Sequence, residues 1–144
     1  MSKEFEQISL KPGFMKHNGG ILFRNISENQ YQFKTIITDN HLNAAGITHG
    51  GFIAAFVDAG AGTAAHRSAG SSPCVTISLE LKFISAVKLG QELIGNTKIQ
   101  KKTKTMVFLT TELIAENKIV ATASGVWKIL RLSGAGPGGW LYYP

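Results

Sequence analysis

His41-Leu-Asn43-Ala-Ala-Gly46-Ile-Thr48-His49-Gly50-Gly51-Phe52-Ile-Ala-Ala-Phe56-Val57-Asp58-Ala59-Gly60-Ala61-Gly62-Thr63-Ala-Ala-His66-Arg67 is the stretch on which the reading of the chain turns. From Phe52 onward it is an alanine-rich apolar run, longer than a usual strand, with one charge in its middle. That pattern predicts a buried helix. Gly60 and Gly62 each cost about 1 kcal/mol relative to alanine in a helix interior. Their presence predicts that another backbone, or a ligand, comes very close. Asp58 sits among Phe56, Val57, Ala59 and Ala61, so folding strips water from its carboxylate, which is costly unless the group is paired, hydrogen-bonded or neutralised. It is therefore either anchored or working. Thr48 is the predicted N-cap, and His49-Gly50-Gly51 then brings free backbone N–H groups and the positive end of the helix dipole to the start of the run. Such a terminus is a natural oxyanion or phosphate site.

The remainder reads as sheet. Gln30 to Thr38 alternates Tyr31, Phe33, Thr35 and Ile37 with Gln32 and Lys34, a half-buried strand by its period of two. Ile21-Leu22-Phe23 is a short strand entered through a turn at His17-Asn18-Gly19-Gly20, and the polar first 13 residues form an arm or short helix. Beyond the helix, Val75, Ile77, Leu79, Leu81 and Phe83 alternate with Thr76, Ser78, Glu80 and Lys82 as one strand with one apolar face. Strands at about 91–100, 104–114 and 118–131 follow, with turns at Lys101-Lys102-Thr103 and Ala115-Glu116-Asn117, as sequential antiparallel hairpins. An antiparallel sheet needs only one face covered, and one apolar helix covers it if the sheet curls round. The expected class is α+β, a curled antiparallel sheet wrapped around one long central helix.

At 144 residues the chain is one domain with a real core. It divides into a domain at 1–132 and a glycine-rich, aromatic C-terminal tail at 133–144. The polar first residues do not resemble a signal peptide, the run at 50–65 is too short and glycine-rich to span a membrane, and the single Cys74 suits a reducing cytoplasm. The net charge of +6 is dispersed apart from Lys101-Lys102-Thr103-Lys104. That dispersal weighs against nucleic acid, and a milder implication is attraction for an anionic small molecule, with Arg67, Lys82, Lys88 and that cluster as candidate phosphate partners; the charge alone does not choose between the two. His41, His49 and His66 lack a neighbouring set of carboxylates or cysteines, so no metal is expected.

Gly50 and Asp58 are eight residues apart, roughly 12 Å along one helix at about 1.5 Å per residue. One chain cannot bring both to the same carbon atom. Two copies with antiparallel helices about a two-fold axis can, which predicts a homodimer with two composite sites. There the Gly50 N–H polarises a carbonyl while the partner copy's aspartate attacks it or activates a water, and Asn43 orients that water or holds the loop. The competing reading pairs Asp58 with a basic group or a loop, and makes Asn43 a turn residue and His49 a partner of the preceding loop.

Asn43-x-x-Gly46-x-x-His49-Gly50-Gly51 followed by Asp58, then Val75-Thr76-Ile77-Ser78 and Phe83-Ile84-Ser85-Ala86-Val87-Lys88-Leu89-Gly90, resembles the hotdog-fold acyl-CoA thioesterases of the phenylacetate-degradation type, within the 4-hydroxybenzoyl-CoA thioesterase superfamily, over about residues 14–131. The resemblance implies a hotdog fold, a homodimer or dimer of dimers, and hydrolysis of an acyl-CoA thioester without any cofactor beyond the coenzyme A of the substrate. It implies Gly50 as oxyanion donor, Asp58 as nucleophile or general base, Asn43 and His49 as positioning groups and a hydroxyl at Thr76 that orients water. Gly51, Phe52, Phe83, Lys82 and Lys88 are the expected substrate contacts. Thr76 lies on the face opposite Val75 and Ile77, so it reaches Asp58 only across the dimer or through a strand bend. An acyl-CoA-binding protein without turnover is the alternative, and a hotdog hydratase or dehydratase ranks lower for want of a proline-rich loop near His41 or His49.

Overall fold

The computed structural model describes residues 4–130, so the tail at 133–144 lies outside the described residues. β1 (Glu6–Gln7) pairs with β2 (Leu22–Ser27), which forms a hairpin with β3 (Gln30–Ile36). The turn expected before β2 is present at Asn18-Gly19, while His17, expected in it, ends a short helix, α1 (Phe14–His17). β3 buries Tyr31, Phe33 and Thr35 and leaves Gln32 and Lys34 on its other face, as the alternation predicts.

The long helix, α2 (Gly50–Ser68), precedes β4 (Cys74–Phe83), β5 (Glu92–Lys102), β6 (Met106–Ala115) and β7 (Lys118–Ile129). One seven-stranded antiparallel sheet results, in the order β1-β2-β3-β5-β6-β7-β4. Its strands from β3 onward contact α2, which buries Phe52, Ile53, Phe56, Val57, Ala61, Ala64 and Ala65. This is the hotdog fold. β5, β6 and β7 are sequential hairpins, but β4 is not part of that series. It pairs with β7 and lies at the sheet edge, while β5 pairs with β3. Lys101 and Lys102, expected in a turn, are still in β5, and the chain reverses at 103–105. There the Thr103 hydroxyl accepts the N–H groups of Thr105 and Met106.

Neither a backbone nor a ligand explains the helix glycines; aromatic rings do. The Phe33 ring lies between Gly60 on α2 and Gly95 on β5, and a Cβ on either glycine would overlap it. Trp127 likewise fills the space over Gly125 on its own strand, with its indole Nε1 3.2 Å from where a Gly62 Cβ would stand. A ring needs more room than an aliphatic side chain, and two missing methyl groups supply it.

β4 also departs from its expected single apolar face. Thr76 pairs with Trp127 and Ser78 with Val126, so Ile77 is the extra residue of a β-bulge. A bulge resets the alternation. Ahead of it Cys74 is buried and Thr76 faces the helix; beyond it Leu79 and Leu81 pack on the core. Ile77 and Phe83, expected in the same face, are 54% and 56% exposed. No described helix is long and apolar enough to cross a membrane.

Candidate active site

The loop ahead of α2 is held at several points. A 3-10 turn at Asp39–His41 ends on a buried histidine. Asn43 then closes a tight turn: its Oδ1 accepts the N–H groups of Ala45 (2.9 Å) and Ile47 (3.2 Å), and its own N–H donates to Ile47 O at 2.7 Å. Gly46 in that turn has φ 80°, a left-handed conformation that costs a side-chain-bearing residue energy and glycine none. Thr48, the expected N-cap, has another task. Its N–H and its hydroxyl both donate to Val87 O, at 2.8 and 2.7 Å, fastening the loop to the segment before β5.

The cap is His49. Its Nδ1 accepts the Gly51 N–H at 2.7 Å, and its carbonyl accepts from Phe52 and Ile53. Among the described residues none accepts the Gly50 N–H. It stays available at the positive end of a 19-residue helix. The Phe83 ring borders it, with its edge 3.5 Å from where a Gly50 Cβ would stand. Gly50, its cap and an aromatic wall therefore form one cluster.

Asp58 forms the second, two turns along the helix. Half-buried, it accepts a hydrogen bond from the Thr76 hydroxyl to Oδ1 at 2.6 Å, and it has no ion-pair partner among the described residues. The contact is made within one chain, through the bend at Ile77. A carboxylate holding only a hydroxyl keeps lone pairs for a water or an electrophile.

The other expected contacts are dispersed. Phe52 is buried, its ring stacked on His41 at 3.9 Å. Lys82 is exposed and lies 3.4 Å from Glu80. Arg67 pairs with Glu6 at 2.7 Å, and Lys102 donates to Ser68 O at the C-terminal end of α2 at 2.6 Å. Lys88 is exposed without an ion-pair partner among the described residues, while its backbone N–H donates to Gln91. A shallow depression on the outer sheet face, lined by Ser78, Glu80, Phe108, Thr110 and Ser124 among others, contains none of the candidate residues. His41 is what the sequence reading missed. The available signal was the capping-box-like spacing Thr38-x-x-His41, which the structure uses in both directions.

The sequence pattern of the thioesterase superfamily matches residues 45–122, which span the end of the Asn43 loop, α2, β4, β5, β6 and the start of β7. The chain belongs to the thioesterase superfamily. It is thus a thioester hydrolase by family. A Pseudomonas aeruginosa protein described as a putative esterase is 30% identical over 112 residues, 77% of this chain and 84% of the relative. Human acyl-coenzyme A thioesterase 13 is 29% identical over 87 residues, 59% of this chain and 62% of that protein. A mutant structure of the phenylacetic acid degradation protein PaaI from Thermus thermophilus superposes with a TM-score of 0.72 at 21% identity, covering 81% of this chain and 97% of that one. This superfamily member therefore carries the hotdog fold that its resemblance implied.

Proposed function

We propose that this thioesterase-superfamily member hydrolyses an acyl-CoA, aryl or medium-chain, in a site built by two copies of the chain. The observation that carries the proposal is the free Gly50 N–H at the cap and the Thr76-held Asp58 eight residues on, both at the part of α2 that its own sheet leaves half-open. Their midpoint is Ala54. A two-fold axis there sets each Gly50 against the other copy's aspartate, and the methyl groups of Ala54 and Ala55 permit close approach. β4, whose outer edge is unpaired among the described residues and whose Ile77 is exposed, offers a second surface to the same partner. The acyl-CoA assignment is supported by the name of the human relative.

In the proposed reaction the thioester carbonyl oxygen accepts the Gly50 N–H, which together with the helix dipole stabilises the oxyanion as it forms. Asp58 of the other copy either removes a proton from the attacking water or attacks directly, with hydrolysis of the resulting anhydride following. Collapse of the tetrahedral species breaks the C–S bond and releases the coenzyme A thiolate. No cofactor takes part. Phe83 walls the acyl group beside Gly50, and Lys88, on the segment that anchors Thr48, meets a CoA phosphate. The buried lone thiol suits the cytoplasm.

Position 50 permits a clean test. Gly50 is the first helical residue and His49 before it is extended, with φ −63° and ψ 131°. Proline suits both and deletes only the N–H. Gly50→Pro and Asp58→Asn are each expected to lose about 10²-fold or more in kcat, read as thiol release from a panel of acyl-CoAs. Mixing the two inactive variants should restore one working site per mixed dimer. Folded mixed dimers that remain inactive would rule out the shared site, and a wild type that binds acyl-CoA without turnover would make it a binding protein.

A further inference from the structure

We infer that His41 is a positioning residue for the Gly50 donor, an inference that rests on the thioesterase reading of Gly50. Its side chain is 1% exposed, and both ring nitrogens are engaged. Nδ1 accepts the Thr38 N–H at 3.0 Å, so Nε2 carries the proton that it donates to Asn18 O at 2.6 Å. This tautomer follows from the partners, because one faces Nδ1 with a donor and the other faces Nε2 with a carbonyl.

Two contacts join His41 to the start of α2. Its ring stacks on Phe52 in the first turn, centroids 3.9 Å apart and planes 18° from parallel. Its carbonyl accepts the N–H of His49, the cap residue, at 2.8 Å. Gly50 lies between those two residues in sequence. His41 thus grips the peptide on either side of the donor while touching no candidate reacting group. Through Asn18 it also ties the end of α1 to the cap. The Asn43 turn and the Thr48–Val87 anchor hold the loop at other points. They leave the cap N–H to His41.

An oxyanion donor works by being fixed before the charge develops, and a misplacement of about 1 Å can cost about 10²-fold in rate. Phenylalanine at this position retains a ring for Phe52 but leaves Thr38 N–H and Asn18 O without partners. His41→Phe is therefore expected to lower kcat about tenfold or more, scaled to folded protein, with KM nearly unchanged. In the same variant the Gly50 amide should shift in a ¹H–¹⁵N spectrum. His41→Asn, whose Oδ1 can accept from Thr38, and His41→Gln, whose Nε2 can reach Asn18, should each recover part of both signals. If His41→Phe does not fold, the Gln and Asn variants carry the comparison with wild type. A folded variant with wild-type kcat and an unmoved Gly50 amide overturns the inference, as does a rise in KM alone. Should wild type hydrolyse no acyl-CoA, the thioesterase reading fails while the Gly50 amide still reports on the positioning.

Discussion

The two sides of α2 are built from similar small residues and do opposite things. Toward the sheet, Phe56, Val57, Ala61 and Ala64 are fully buried, and Gly60 and Gly62 admit the rings of Phe33 and Trp127. On the other side Gly51, Ala54, Ala55, Asp58, Ala59 and Thr63 are exposed or only half-buried. Absent side chains make room for the protein's own aromatics on the first side, and leave room for a ligand or second chain on the second. The same deletion of bulk thus closes a core or opens a site, depending on what the sheet brings opposite.

That contrast can be broken from the open side first. Asp58→Asn should abolish nearly all turnover, about 10²–10⁴-fold, while the thermal midpoint stays close to wild type because Asp58 has no ion pair among the described residues and asparagine keeps an acceptor for the Thr76 hydroxyl. A large loss of stability would make Asp58 a structural anchor instead. On the closed side the order is reversed. Gly60→Ala gains about 1 kcal/mol of helix propensity but drives a methyl into the Phe33 ring, and overpacking of that kind costs about 1–3 kcal/mol. Chemical denaturation should show net destabilisation with kcat unchanged in the folded fraction.

Thr76 bridges the two regions. A hydrogen bond to a charged group contributes about 1.5–3 kcal/mol, so Thr76→Val should lower kcat about tenfold and Thr76→Ser should restore it. An unaffected Val variant would reduce the 2.6 Å contact to packing. Smaller still is Gly62→Ala, where the Cβ meets Trp127 Nε1 at 3.2 Å rather than overlapping it. The propensity gain and the crowding nearly cancel, and the measured change should stay within about 1 kcal/mol. Cys74, the first residue of β4, probes whether that end is closed. Burial pushes its thiol from about 9 up to about 11, so alkylation at about pH 8 should be slow without denaturant. Because the folded state disfavours the thiolate, stability should fall as pH rises from about 9 toward 11.

Much of this was legible from residue order. The helix shows in the apolar run, and β3 and the β5–β7 hairpins in their alternation. Thr76 shows where that legibility stops. Its phase pointed away from the core unless the strand bent, and the bend is a bulge at Ile77 fixed by pairing with β7, some fifty residues later in the chain. Thr48 was the expected cap, but Val87 claims its hydroxyl and the Nδ1 of His49 caps the helix instead. His41 sits among polar loop residues, with nothing nearby in sequence to show that Asn18 and Phe52 enclose it.

By itself the sequence determined the long helix and the main strands and offered the candidate residues of the proposed chemistry, because periodicity, capping geometry and the cost of a buried charge act over a few neighbouring residues. Only the tertiary structure decided that β4 takes the edge, that Ile77 resets its phase, that Phe33 and Trp127 occupy the glycine gaps and that, among the described residues, Asp58 holds Thr76 but no cation. Each of those depends on partners distant in sequence, whose approach is selected by close packing together with the hydrogen bonds of the chain as a whole.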